Sequence, residues 1–87
     1  MATKTVNYNK TGVAELPNDL SVLYRITTAS GATNYVGVAS RRRVSETIAS
    51  DIGRIPGKKV KIEQFATVGE ARRKQANILK RATPKYN

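Results

Sequence analysis

The feature that most constrains this chain is a pair of β-forming runs set close together. Val22-Leu23-Tyr24-Arg25-Ile26-Thr27-Thr28 and Asn34-Tyr35-Val36-Gly37-Val38 are rich in β-branched and aromatic residues, with Ala29-Ser30-Gly31-Ala32 between them. Ser30-Gly31 supplies the permissive backbone a short reversal needs, so the two runs predict an antiparallel hairpin. Further along, Lys59-Val60-Lys61-Ile62-Glu63-Gln64-Phe65 alternates polar and apolar residues and predicts a third strand. Val60, Ile62 and Phe65 cannot share one face by strict alternation, so a bulge or twist is expected near Gln64. The opening stretch shows no periodicity of useful length and reads as an N-terminal arm over residues 1–20, ahead of a domain over 21–87.

Two helices complete the pattern. Ser40 is a candidate cap for a helix over about 41–52, closed by Gly53, whose apolar stripe is Val44, Ile48 and Ile52. Arg43, Thr47 and Asp51 run beside that stripe, at the edge of the buried face. Thr67 and Glu70 form the Thr-x-x-Glu capping pattern, predicting a second helix from there to about Arg81, with Pro84 limiting its extension. Its inward stripe reads Val68, Ala71, Gln75, Ile78, Leu79 and Ala82. Gln75 is the polar member, and burying an amide without a partner costs roughly 1–3 kcal/mol, so Gln75 must find hydrogen bonds or line an opening. The expected class is α/β of the α+β type: a small three-stranded antiparallel sheet flanked by helices.

Charge narrows the partners. Of the 87 residues, sixteen are Lys or Arg and six Asp or Glu, a formal charge of +10. Thirteen of the basic residues lie from Arg41 onward, against four acidic ones. An anionic partner is implied, with nucleic acid ahead of an acidic membrane surface. Arg41 and Arg42 at a helix start, Lys58, Lys59 and Lys61 around the third strand, and Arg72, Arg73 and Lys74 on the second helix are candidate phosphate contacts. The same runs also read as solvated surface charge. Cys and His are absent, which removes disulfides, thiolate nucleophiles, the usual zinc ligand sets and any imidazole base. No apolar run approaches the roughly 20 residues that span a bilayer, and the first ten residues lack a signal peptide's apolar stretch. A soluble, intracellular, cytoplasmic protein with no membrane association is expected.

The order of these pieces resembles the GIY-YIG nuclease superfamily, in its short stand-alone form. Val22-Leu23-Tyr24 stands where GIY does, Tyr35-Val36-Gly37 closely matches YIG, and Pro84-Lys85-Tyr86-Asn87 is similar to the superfamily's P-x-Y-N ending. The resemblance covers about residues 21–87. It implies a metal-dependent DNA endonuclease in which Tyr24 and Tyr35 face each other near the scissile phosphate, one of them helping to deprotonate the attacking water. A phenol, with an ordinary pKa of about 10, needs cationic neighbours for that task. Arg43 matches the family's Arg, a planar fork suited to the charge developing on phosphate. Asn87 is placed near the catalytic Glu, which holds one Mg²⁺ or Mn²⁺ ion. The position of that Glu falls on Gln75. Gln is nearly isosteric but neutral, so metal binding is expected to be weak or absent and this copy disarmed. The intact remainder favours a deliberate substitution that traps substrate uncut over a natural member that has lost cleavage. Two further departures are Val38, where many members carry Lys, and the missing Gly of the first motif. Single-stranded or locally opened DNA suits a small open cleft. The rival is a non-catalytic basic nucleic-acid-binding protein, in which Tyr24 and Tyr35 are packing aromatics.

Overall fold

The structure, a computed structural model, describes residues 3–87. The elements follow in the order β1 (Thr3–Asn7), α1 (Lys10–Ala14), β2 (Ser21–Thr27), β3 (Thr33–Ala39), α2 (Val44–Asp51), β4 (Lys59–Phe65) and α3 (Val68–Arg81). The fold is α+β, with one antiparallel sheet in the order β1-β4-β2-β3.

The expected hairpin forms, with Tyr24 opposite Gly37 and Ile26 opposite Tyr35. β2 also pairs with β4 on its other side. Its residues Val22, Leu23, Tyr24 and Ile26 are all buried, because helices cover both faces of the sheet here. Alternation sends Val22, Tyr24 and Ile26 to one face, with Val60 and Ile62 of β4, Val13 of α1, and Val44 and Ile48 of α2. Leu23 goes to the other face with Val36, Phe65 and Ala71 of α3.

Four sequence expectations need correction. The sheet has four strands, not three, because residues assigned to an arm enter the fold. Thr3–Asn7 pairs with β4, placing Val6 opposite Val60, and Val6, Tyr8, Val13 and Leu16 join the core. Residues 1 and 2 of the expected arm lie outside the described residues. Polar neighbours hide this strand in the sequence: only Val6 of its five residues is buried. Secondly, the first of the two expected helices starts at Val44 rather than Arg41. Arg42 takes a left-handed backbone, φ 72°, which breaks any helix across 41–43. Ser40 is therefore not the cap. Asn18, on the loop before β2, instead offers its side-chain oxygen to the Ser45 N–H at 3.1 Å, so α2 is capped from a distant part of the chain. At its other end the helix stops before Gly53, whose φ of 93° suits the residue just past a C-cap.

Thirdly, β4 has no bulge at Gln64. Val60, Ile62 and Gln64 share one face in unbroken register, and Phe65 turns to the other, where α3 covers it. The irregularity lies between Ile26 and Thr27 at the hairpin end. Fourthly, the inward stripe of α3 is shallow: Ala71 is buried, but Ala82 is exposed and the intervening members only half-buried. The α3 cap itself forms as expected, with the Glu70 N–H donating to Thr67 Oγ1 at 3.2 Å.

Deleting residues 1–18 removes four core side chains, each contributing about 1.5–3 kcal/mol by burial. That is comparable with the whole net stability of a small domain, about 5–15 kcal/mol. The shortened chain is expected to lose its cooperative thermal transition in circular dichroism. A sharp melt near that of the full chain would show that these residues are an arm after all.

Candidate functional site

Four of the candidate residues, Tyr24, Tyr35, Gln75 and Asn87, lie about one short stretch of β3. This strand lies at the sheet's edge, so alternate backbone groups along it lack a strand partner. At Val36 those groups are met by side chains. Asn87 accepts from the Val36 N–H at 2.9 Å and donates to its carbonyl at 3.0 Å, as a neighbouring strand would. Gln75, reaching from α3, donates to the same carbonyl at 3.1 Å. Two residues earlier the Asn34 carbonyl accepts from the Tyr86 N–H at 2.9 Å. The Pro84-Lys85-Tyr86-Asn87 tail thus covers the edge of β3, and Gln75 has the hydrogen bond its position demanded.

The tyrosines flank the same stretch on the sheet's other face. Tyr24 and Tyr35 are diagonal neighbours across the hairpin, with ring centroids 5.9 Å apart and planes tilted by 45°. Gly37 allows this arrangement. A Cβ there would lie 2.6 Å from the Tyr24 hydroxyl and 2.7 Å from the Tyr35 ring, so the Tyr24 ring occupies the space a side chain would take.

Tyr24 and Tyr35 are not equivalent. The Tyr24 hydroxyl donates to Asp51 Oδ2 at 2.6 Å, and its side chain is buried. Burial first, then the hydrogen bond to the Asp51 carboxylate and that group's charge, push the Tyr24 phenol far above its ordinary pKa. Tyr24 is held neutral and suits a donor or positioning role better than that of a base. Tyr35 is half-buried and keeps contact with solvent. Asp51 also pairs with Arg54, which lies largely in water. Tyr8 completes the cluster from below. Its buried hydroxyl has no hydrogen-bond partner among the described residues, and its phenol is pushed up to about 12, by burial first and then by the Asp51 charge, with Arg54 opposing.

Other candidates stand apart. Arg43 donates through Nε to Glu46 at 3.2 Å, and both side chains are about two-thirds exposed. Arg41, Arg42, Lys58, Lys59 and Lys61 are exposed, as are Arg72 and Arg73 on α3. Lys74 is half-buried, bonded to Glu63 at 2.7 Å and set over the Phe65 ring at 5.9 Å. It is the basic residue of that helix least free to meet a phosphate. Sequence reasoning missed Tyr8, although Val6 and Tyr8 stand two residues apart at strand spacing, and it underrated Asp51, which is buried rather than at an edge.

A divalent ion does not fit the groups present. Gln75 spends its amide N–H on a backbone carbonyl and brings no charge, and no three carboxylates cluster among the described residues. No described helix is long and apolar enough to cross a membrane.

The contrast between Tyr8 and Tyr24 is testable by stability. Tyr8→Phe, which removes an unpartnered buried hydroxyl, is expected to be neutral or stabilising, whereas Tyr24→Phe leaves the buried Asp51 Oδ2 without its donor, with Arg54 on the other oxygen, and costs roughly 1–3 kcal/mol. Raised phenol pKa values mean that the native state holds these protons longer than the unfolded chain. Their contribution is present below about pH 10, the unfolded value, and is lost as pH rises toward and beyond about 12. Urea midpoints measured across that range should fall less steeply for Tyr8→Phe than for the parent chain; parallel curves would contradict the assignment. No protein-family model matches this chain, and neither a curated protein nor a solved structure matches it.

Proposed function

We propose that this chain is a DNA-binding domain on the GIY-YIG nuclease plan, with phosphodiester cleavage disarmed at Gln75. The observation that supports this reading is that four separate sequence signals reach residues 35–37 of β3: Tyr24 and Tyr35-Val36-Gly37 with their phenols on one face of the sheet, and Gln75 and the tail ending in Asn87 at the strand's edge from the α3 side. The succession β2, β3, α2, β4, α3 is in keeping with it. In an active form, water attacks phosphorus as the P–O bond to the leaving oxygen breaks, and the proton that the water loses ends, by way of solvent, on that leaving oxygen. Tyr35 is the better placed of the two phenols to orient that water, since Tyr24 is committed to Asp51. Arg43 is the candidate clamp on the phosphate charge, and to act as one it must exchange Glu46 for that phosphate. The excess of cations supplies attraction for single-stranded or locally opened DNA.

One observation favours the second reading, a nucleic-acid-binding protein with no cleavage chemistry. Gln75 donates to the Val36 carbonyl, a bond that a carboxylate cannot make, so the amide has a structural use of its own.

Gln75→Glu separates the two. The variant loses one hydrogen bond, at a cost of roughly 1–3 kcal/mol, so its folding is first checked by circular dichroism. Labelled single-stranded and duplex DNA are then incubated with it and Mg²⁺. Nicked or shortened product, absent with the parent chain, is the expected outcome. A folded variant that binds DNA and cuts neither substrate would leave only the binding protein.

A further inference from the structure

We infer that a nucleic-acid backbone lies on the uncovered half of the sheet, across Lys59 and Lys61, with the half-buried Arg25 of β2 at its border with α3. The inference rests on the nucleic-acid reading above but uses neither the tyrosines nor Gln75. α1 and α2 pack on one face of the sheet, while α3 crosses the other over β2 and β3 and, to a smaller extent, β4. On that second face the β1 and β4 side is open. Thr3, Thr5 and Asn7 of β1 and Lys59 and Lys61 of β4 are exposed there, alternating with the buried Val6, Val60 and Ile62.

Register makes this surface ordered. Lys61 stands between Thr5 of β1 and Arg25 of β2, and Lys59 stands between Asn7 and Thr27. Two rows thus cross three strands. In the first, Arg25 and Lys61 are direct cross-strand partners, a like-charge pair that destabilises a sheet in the absence of an anion. Among the described residues no carboxylate pairs with Arg25, Lys59 or Lys61. Glu63, on the same side of β4, is taken by Lys74. The cationic strip continues beneath the end of α3, where Arg25, Thr83 and Lys85 line a groove of about 390 Å³.

The chemistry selects phosphate. Neither row holds an aromatic residue on which a base can stack, while Thr5 and the amide N–H of Asn7, whose Oδ1 already accepts from Lys59 Nζ at 2.6 Å, supply short polar groups able to reach phosphate oxygens. Binding here is therefore independent of base sequence. An acidic membrane is the poorer occupant, because the strip offers no large apolar side chain to insert; among the described residues Tyr86, on the tail, is the exposed large hydrophobic.

The test uses the full chain and two variants of equal charge loss, Arg25→Gln/Lys61→Gln on the sheet and Arg72→Gln/Arg73→Gln on α3. Labelled mixed-sequence single-stranded and duplex DNA are titrated at several salt concentrations. The sheet variant is expected to bind about tenfold more weakly or worse, with a salt slope lower by about one for each phosphate it no longer neutralises, and the α3 variant to change less. Lys61→Glu is the second measurement. It places a carboxylate opposite Arg25, so its melting temperature should equal or exceed the parent's while its DNA binding falls.

Unchanged DNA binding by both sheet variants, with the parent binding normally, would overturn the inference and leave the nucleic-acid reading standing. So would an equal loss in the α3 variant. A parent chain that binds neither DNA at low salt would overturn both. Loss of phosphatidylserine-vesicle binding in the sheet variants, with DNA binding intact, would assign the surface to a membrane instead.

Discussion

β2 must be buried on both faces, and the other elements are arranged around that requirement. It sits between β4 and β3, so its backbone groups are paired along both edges. Its apolar residues do not alternate with polar ones: Val22, Leu23 and Tyr24 are consecutive and all buried. A strand of this kind is stable only inside a sheet covered on two sides. α1 and α2 cover one side and α3 alone the other, mainly over β2 and β3, which leaves the β1 and β4 end open on the α3 face.

The edge of β3 is the second constraint. An exposed edge invites pairing with another chain, and here the last residues of the sequence answer it. The Asn87 side chain supplies both a donor and an acceptor to Val36, doing with one amide what a peptide unit of a fifth strand would do. Gln75 adds a further donor. Two of the candidate residues, Gln75 and Asn87, thus have a structural task in closing the sheet.

Among the described residues the buried charged side chain is Asp51, on α2. Asp51 is buried among apolar neighbours and is kept there by the Tyr24 hydroxyl and by Arg54, whose own charge remains largely in water. Burying a carboxylate is tolerable with such partners and costly without them. Tyr24 consequently gives up its freedom as an acid or base in order to hold Asp51, leaving Tyr35 as the half-exposed phenol of the pair.

Much of this was legible along the chain, because the signals are local. The 24/35 hairpin, the third strand and the Thr67 cap each depend on residues a few positions apart, where backbone preference and alternation act. Gln75 was legible too, as a polar residue on an apolar stripe. The first strand was not, since Thr3–Asn7 carries a single buried side chain and gains its structure from pairing with β4, more than fifty residues away. Nor was the start of α2, which Asn18 caps from another loop and which the left-handed backbone of Arg42 delays. Sequence by itself determined which segments favour strand or helix and how much positive charge the chain carries. Tertiary structure alone decided which charges lie side by side, which tyrosine is locked to Asp51 and what covers the edge of β3, because pairing register and burial join residues that no local preference connects.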